Sequence, residues 1–230
     1  MKYICIRSSR GNEAPTCDPG RVSLLTSAAT ILAAILLALV ELTTSCTTAP
    51  RESACCTTNL GPAATFTDKS LYQLDSTWTN DFSHPLQLGA LRGRVQVVAM
   101  FFASCTYACP IIVHDLQRIE AALPKEIRGR TGFALITIDP ERDTPAALHV
   151  YRATRKMPAD RWTLLLGAPD DTLELAALLG VKFKREASGQ FAHSNLITVL
   201  NEQGDIIHQL TGLNQDVDET VKRISAEVAK

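Results

Sequence analysis

The sequence predicts a mixed α/β sheet flanked by helices, and three observations predict it. Short unbroken apolar runs alternate with segments whose apolar residues recur at helical spacing. The first such run leads into Cys105-Thr106-Tyr107-Ala108-Cys109-Pro110, two thiols at i and i+4 where a strand gives way to a helix. The chain closes with two more strand-like runs and an amphipathic helix. Alternation of this kind implies a sheet covered by helices on both faces.

Each element has its own signal. Leu71 to Trp78 and Leu86 to Leu91, separated by a polar turn with His84-Pro85, read as an N-terminal β-hairpin extension. Val95 to Phe102 is an apolar run broken only at Gln96, as expected of a strand covered on both faces. Pro110 to Leu123 places Ile112, Leu116, Ile119 and Leu123 on one helical stripe, and Pro124 ends it. Phe133 to Ile138 is a second buried strand. Thr144 and Pro145 supply an N-cap and a first helical residue. Trp162 to Leu166 is a third strand, and Asp170 to Leu179 a helix with Gly180 just past its end. Leu196 to Leu200 and Ile206 to Leu210 are strands joined by a loop at Asn201 to Asp205. The last helix, from Asp216 to Val228, buries Val217, Val221, Ile224 and Val228. A dithiol loop after the first core strand, with a closing hairpin and helix, fits a thioredoxin-like fold.

The chain has 230 residues and a formal net charge of −1. Neither this balance nor any Lys/Arg block supports a nucleic-acid partner. Residues 1–21 read as a cytoplasmic, net-basic leader, and 22–42 as a transmembrane anchor or lipoprotein signal segment. The run Val22 to Val40 carries no charge, and roughly 20 apolar residues cross a bilayer. Lys2, Arg7, Arg10 and Arg21 precede it, which places everything beyond it on the outer face. Leu42-Thr43-Thr44-Ser45-Cys46 resembles a lipoprotein cleavage site that would leave Cys46 lipidated, and an uncleaved helix is the alternative. Residues 43–68, rich in Thr, Ala and Pro, read as a flexible linker, and 69–230 as the folded domain. Within the linker, Cys55-Cys56 is a pair with no ordered setting.

Cys105 and Cys109 carry the chemistry. At the first turn of a helix, outward-pointing N–H groups favour a thiolate, which we expect at Cys109 with Cys105 within reach. A dithiol alone serves redox work or a metal. His193 lies just before Leu196 to Leu200, in a loop expected to approach the dithiol. The cis-proline usual there in dithiol oxidoreductases has no counterpart, because no proline follows Pro169. The resulting S₂N set suits Cu(I) through its thiolates. With one further ligand it suits Cu(II), and zinc would accept it with water.

These residues carry a resemblance. Cys105-x-x-x-Cys109-Pro110, Asp139-Pro140-Glu141-Arg142-Asp143-Thr144-Pro145 and His193, with the preceding apolar strand, resemble the Sco/SenC family over about Leu71 to Lys230. The resemblance implies a thioredoxin-like, membrane-anchored protein on the periplasmic face of a bacterial cytoplasmic membrane. It implies one copper ion, Cu(I) or Cu(II), held by Cys105, Cys109 and His193, with the Asp139 carboxylate near the pocket. The implied partner is the copper-bearing subunit of cytochrome c oxidase, served by copper delivery, by reduction of its cysteines, or both. Another periplasmic copper chaperone or a thiol reductant would feed the site. Two further functions fit the same residues: a thiol-disulfide reductase using Cys105 and Cys109, and a sensor that binds without transfer. The chain departs from the family's usual Cys-Pro-Asp-x-Cys-Pro, having Thr106-Tyr107-Ala108 between its cysteines.

Overall fold

The structure, a computed structural model, describes residues 66–230. The expected leader, the apolar stretch, Cys46, Cys55, Cys56 and most of the expected linker lie outside the described residues. No helix among the described residues is long and apolar enough to cross a membrane.

A seven-stranded mixed sheet forms the centre, in the order β2 (Pro85–Gln87), β1 (Thr77–Asn80), β5 (Trp162–Leu166), β4 (Thr131–Thr137), β3 (Val95–Phe101), β8 (Leu196–Leu200) and β9 (Ile206–Thr211). Its middle strands are β3 (Val95–Phe101) and β4 (Thr131–Thr137), every residue of which is buried. Predominantly apolar runs suit a strand covered on both faces, and the polar exceptions Gln96, Thr131 and Thr137 each bond within the protein. β3 pairs in parallel with β4, which pairs in parallel with β5 (Trp162–Leu166). On its other side β3 runs antiparallel to β8 (Leu196–Leu200), followed by β9 (Ile206–Thr211). The crossover from β3 to β4 carries α1 (Ala108–Ala122), and that from β4 to β5 carries α3 (Pro145–Thr154). Both crossovers step in the same direction, so right-handedness puts the two helices on one face. The Gln117 amide of α1 accordingly reaches the Arg155 carbonyl at the end of α3, at 2.9 Å. The closing helix α5 (Asp218–Val228) packs beside α1. α4 (Pro169–Leu179) turns Thr172, Leu175, Ala176 and Leu179 inward and ends on Gly180 at φ +76°.

Four features differ from expectation. The N-terminal hairpin is shorter: only β1 (Thr77–Asn80) and β2 (Pro85–Gln87) pair, while 71–73 and 88–91 are 3₁₀ turns. Packing also begins before residue 69, since Phe66 sets its ring edge-on to Tyr72 at 5.9 Å. A five-residue helix, α2 (Lys125–Gly129), follows Pro124. Finally, a separate two-stranded hairpin, β6 (Phe183–Arg185) and β7 (Phe191–His193), stands between α4 and β8. Its turn closes with Gly189 at φ +78° and a Gly189 N–H to Glu186 carbonyl bond of 2.9 Å.

Candidate metal centre

β3 delivers the chain into the dithiol loop, where the Cys105 N–H donates to the Phe102 carbonyl at 3.1 Å. α1 begins three residues later without a side-chain N-cap. Instead the Cys109 N–H donates to the Cys105 sulfur at 3.4 Å, so a thiol satisfies one of the helix's open donors. Cys109 itself has no exposed surface, whereas Cys105 is half-buried. Both are free thiols.

That difference reverses one expectation. Burial works against a thiolate at Cys105, but hydrogen bonds from the backbone of Cys109, Tyr107 and Ala108, and from the Cys109 thiol, outweigh it and lower its pKa. Burial pushes the Cys109 thiol far up, and the neighbouring Cys105 and Asp143 add to the rise. The helix start therefore favours a thiolate at Cys105, not at Cys109. The sequence held the signal: Cys109 falls on the stripe of Ile112, Leu116 and Ile119, all buried in the core.

His193 is the last residue of β7, not part of a loop. Its Nδ1 lies 3.0 Å from the Ser194 carbonyl oxygen, which can only accept, so Nδ1 carries the proton. Nε2 is left with its lone pair, 3.6 Å from the Cys109 sulfur. Burial lowers the pKa of the ring and keeps it neutral, against a smaller opposing pull from the Ser194 backbone. The Phe102 ring stands edge-on to the imidazole at 5.9 Å and packs against Phe191 at 5.4 Å. One ligand atom each from Cys105, Cys109 and His193 thus lies within 4.8 Å of the others. Two sulfurs and one imidazole nitrogen at this spacing can close around a soft or borderline metal ion.

Asp139 ties into the hairpin that carries His193. Its buried carboxylate pairs with Arg142 and, at 3.2 Å, with Arg185 of β6. Arg142 also donates to the Gly189 carbonyl at 2.7 Å, in the turn of the β6–β7 hairpin. Asp143, which we did not single out from the sequence, holds the other half: its Oδ2 accepts from the Ala103 N–H at 2.9 Å and from the Thr137 hydroxyl. The remaining histidines lie apart: His84 is exposed between β1 and β2, His114 is exposed on α1, His149 meets Asp81 at 3.4 Å, and His208 meets Thr220 at 3.0 Å.

Known proteins resemble this chain in sequence and in fold. A family model described as SCO1/SenC matches residues 66–229. A Stutzerimonas stutzeri protein described by a proposed copper-binding role is 27% identical over 143 residues, covering 60% of this chain and 68% of that one. Among solved structures, a SCO1/SenC family lipoprotein from Bacillus anthracis superposes with a TM-score of 0.61 at 19% identity, over 66% of this chain and 92% of that one. Arabidopsis thaliana ScoI with copper bound gives 0.58 at 19% identity, over 67% and 96%.

Proposed function

Because this chain belongs to the SCO1/SenC family, we propose that it binds one copper ion through Cys105, Cys109 and His193 and delivers it to the dinuclear copper centre of cytochrome c oxidase. The observation that carries this proposal is the convergence of the three ligand atoms within 4.8 Å. The donor set fits copper: two sulfurs satisfy Cu(I), and a neutral imidazole extends the set towards Cu(II). The residues divide the work. Cys105 offers a thiolate at the surface. His193 presents an unprotonated Nε2 because Ser194 holds its Nδ1 proton. Cys109 gives up its proton as the metal arrives, so binding releases acid. The copper-bound Arabidopsis structure and the proposed role of the Stutzerimonas relative support the choice of metal. The Bacillus lipoprotein supports a membrane-anchored domain, here on the periplasmic face. Anchoring would hold the domain near a membrane-bound acceptor at high effective concentration.

Copper titration of the reduced full chain beside a His193→Ala variant tests this. The wild type is expected to take one copper per chain, and the variant to lose Cu(II) binding together with the sulfur-to-copper charge-transfer band. Copper binding that ignores His193 would overturn the assignment.

The asymmetry of the two thiols favours a second activity at the same site. The accessible, lower-pKa Cys105 is placed as an attacking thiolate and the buried Cys109 as the resolving thiol. Cys105 would attack a partner disulfide and form a mixed disulfide while one partner thiol leaves. Cys109 would then displace the second thiol, leaving a Cys105–Cys109 disulfide and a reduced partner. A dithiol reductase of this kind needs no metal and no His193. Undiminished disulfide reduction by the His193→Ala variant would support it.

A further inference from the structure

The hairpin that carries His193 has a free backbone edge. Glu186 N–H donates to the Gln190 carbonyl and Ser194 N–H to the Lys182 carbonyl, each at 2.8 Å. Bonded pairs in an antiparallel ladder recur at every second residue, so Ala192 shares its bonds with Lys184. Phe191 and His193 therefore turn their N–H and C=O groups away from β6. Among the described residues, no other backbone group or side chain bonds these four groups. An unpaired edge of this kind is a template for an added strand.

What lies along that edge defines the occupant. An open cleft of about 380 Å³ runs between Gln190–His193 on one wall and Cys105–Ala108 on the other. Tyr107, 76% exposed, stands in the second wall, and Asn195 and Leu213 line the cleft. Apart from Cys105 and His193, the lining residues are uncharged. The faces of the hairpin differ. Phe183 lies opposite His193 and Arg185 opposite Phe191, on the side of the cysteines. Lys184 lies opposite Ala192 on the outer side, exposed and without an ion pair among the described residues, as is Lys182. A strand added to β7 would alternate in the same way. One side chain would reach in towards Cys105, and its neighbours would turn out beside a positive flank.

We propose that the free edge of β7 takes an extended, cysteine-bearing segment of the copper acceptor as an added strand, with the cysteine turned in to Cys105 and an adjacent acidic residue turned out to Lys184. The nature of the acceptor rests on the copper function above. The strand-docking geometry does not.

The probe is a short reduced peptide with valines at alternate positions and a central cysteine between two aspartates, mixed with the metal-free, reduced full chain in detergent. Amide exchange followed by NMR is expected to slow at Phe191 and His193, and not at Ala192, which is already bonded to β6. N-methylating the amides on one edge of the peptide should weaken binding roughly tenfold or more, because two hydrogen bonds are lost, while methylating the opposite edge leaves it unchanged. Lys184→Glu should weaken the peptide about two- to fivefold and reverse its preference towards a lysine-flanked version, as an exposed pair allows. Unchanged exchange at Phe191 and His193, or indifference to methylation of both edges, overturns the proposal. Copper titration of the same sample separates the two ideas. Copper binding without edge protection sinks the docking alone, and edge protection without copper binding sinks the copper function alone.

Discussion

Asp139 and Asp143 close one turn and point in different directions from it. The Asp143 N–H donates to the Asp139 carbonyl at 2.9 Å. The Asp143 carboxylate then reaches the loop of Cys105 through Ala103, while the Asp139 carboxylate reaches the hairpin of His193 through Arg142 and Arg185. The sulfur half and the nitrogen half of the centre, 84 residues apart at Cys109 and His193, are thus fixed to a single loop after β4.

Removing the Asp143 carboxylate should loosen the sulfur half. Asp143→Ala leaves the Ala103 N–H and the Thr137 hydroxyl without acceptors in a buried setting. The expected loss is about 2–4 kcal/mol, measured by chemical denaturation, together with weaker binding of Cu(I). A loss below about 0.5 kcal/mol would show that the loop holds its shape without this carboxylate.

Arg142→Gln should act on the nitrogen half. It removes an ion pair to Asp139 and the tie to the Gly189 carbonyl, so the hairpin loses one of its clamps while Arg185 remains. If His193 is the nitrogen ligand as proposed, affinity for Cu(II) is expected to fall by roughly 10- to 100-fold. Cu(I) affinity should fall less, and parallel titrations with the two oxidation states read the difference.

Stability should depend on a pair far from the centre. Arg152 forms a two-pronged ion pair with Asp81, at 2.5 and 2.6 Å, and both side chains are buried. Arg152→Leu strands a buried carboxylate, and an unfolding measurement should show a loss of about 3–5 kcal/mol. Replacing both partners, as Asp81→Leu with Arg152→Leu, should recover much of that loss.

His208 sets a pH dependence. Burial lowers its pKa below the ordinary 6.5, and Arg223 adds to the effect while Glu219 opposes it. The folded state therefore prefers the neutral ring. Its contribution is fully present above pH 6.5 and is lost as pH falls through the lower, folded-state pKa. The metal-free wild type should lose more melting temperature than His208→Gln between neutral and mildly acidic pH. Parallel curves would show that another group carries the dependence.

Much of this architecture can be read from residue pattern. Val95 to Phe102 and Phe133 to Ile138 are apolar but for Gln96 and Thr137, and they became the fully buried strands at the centre of the sheet. Thr144 caps α3 as expected, accepting from the Ala147 N–H at 3.3 Å. The β6–β7 hairpin escaped because its strands have three residues each, too few to establish a period, and β6 carries two basic residues. Ser188-Gly189 between the two phenylalanines was the available turn signal. Asp143 was hidden for another reason. Beside Thr144 and Pro145 it looks like ordinary capping chemistry, and its partner Ala103 lies 40 residues away. Long-range ties of that kind leave no local trace in a sequence.

The unequal burial of the two cysteines gives the centre a direction. A visiting group arrives through the cleft and meets Cys105 first, since Cys109 offers it no surface. If the site passes a metal on as proposed, the outer sulfur is the one placed to exchange first and the inner one to let go last. Cys105 also accepts the first-turn N–H of α1, so each exchange at the outer sulfur is felt at once by the start of that helix. The first turn of α1 is therefore a built-in reporter of traffic at the door.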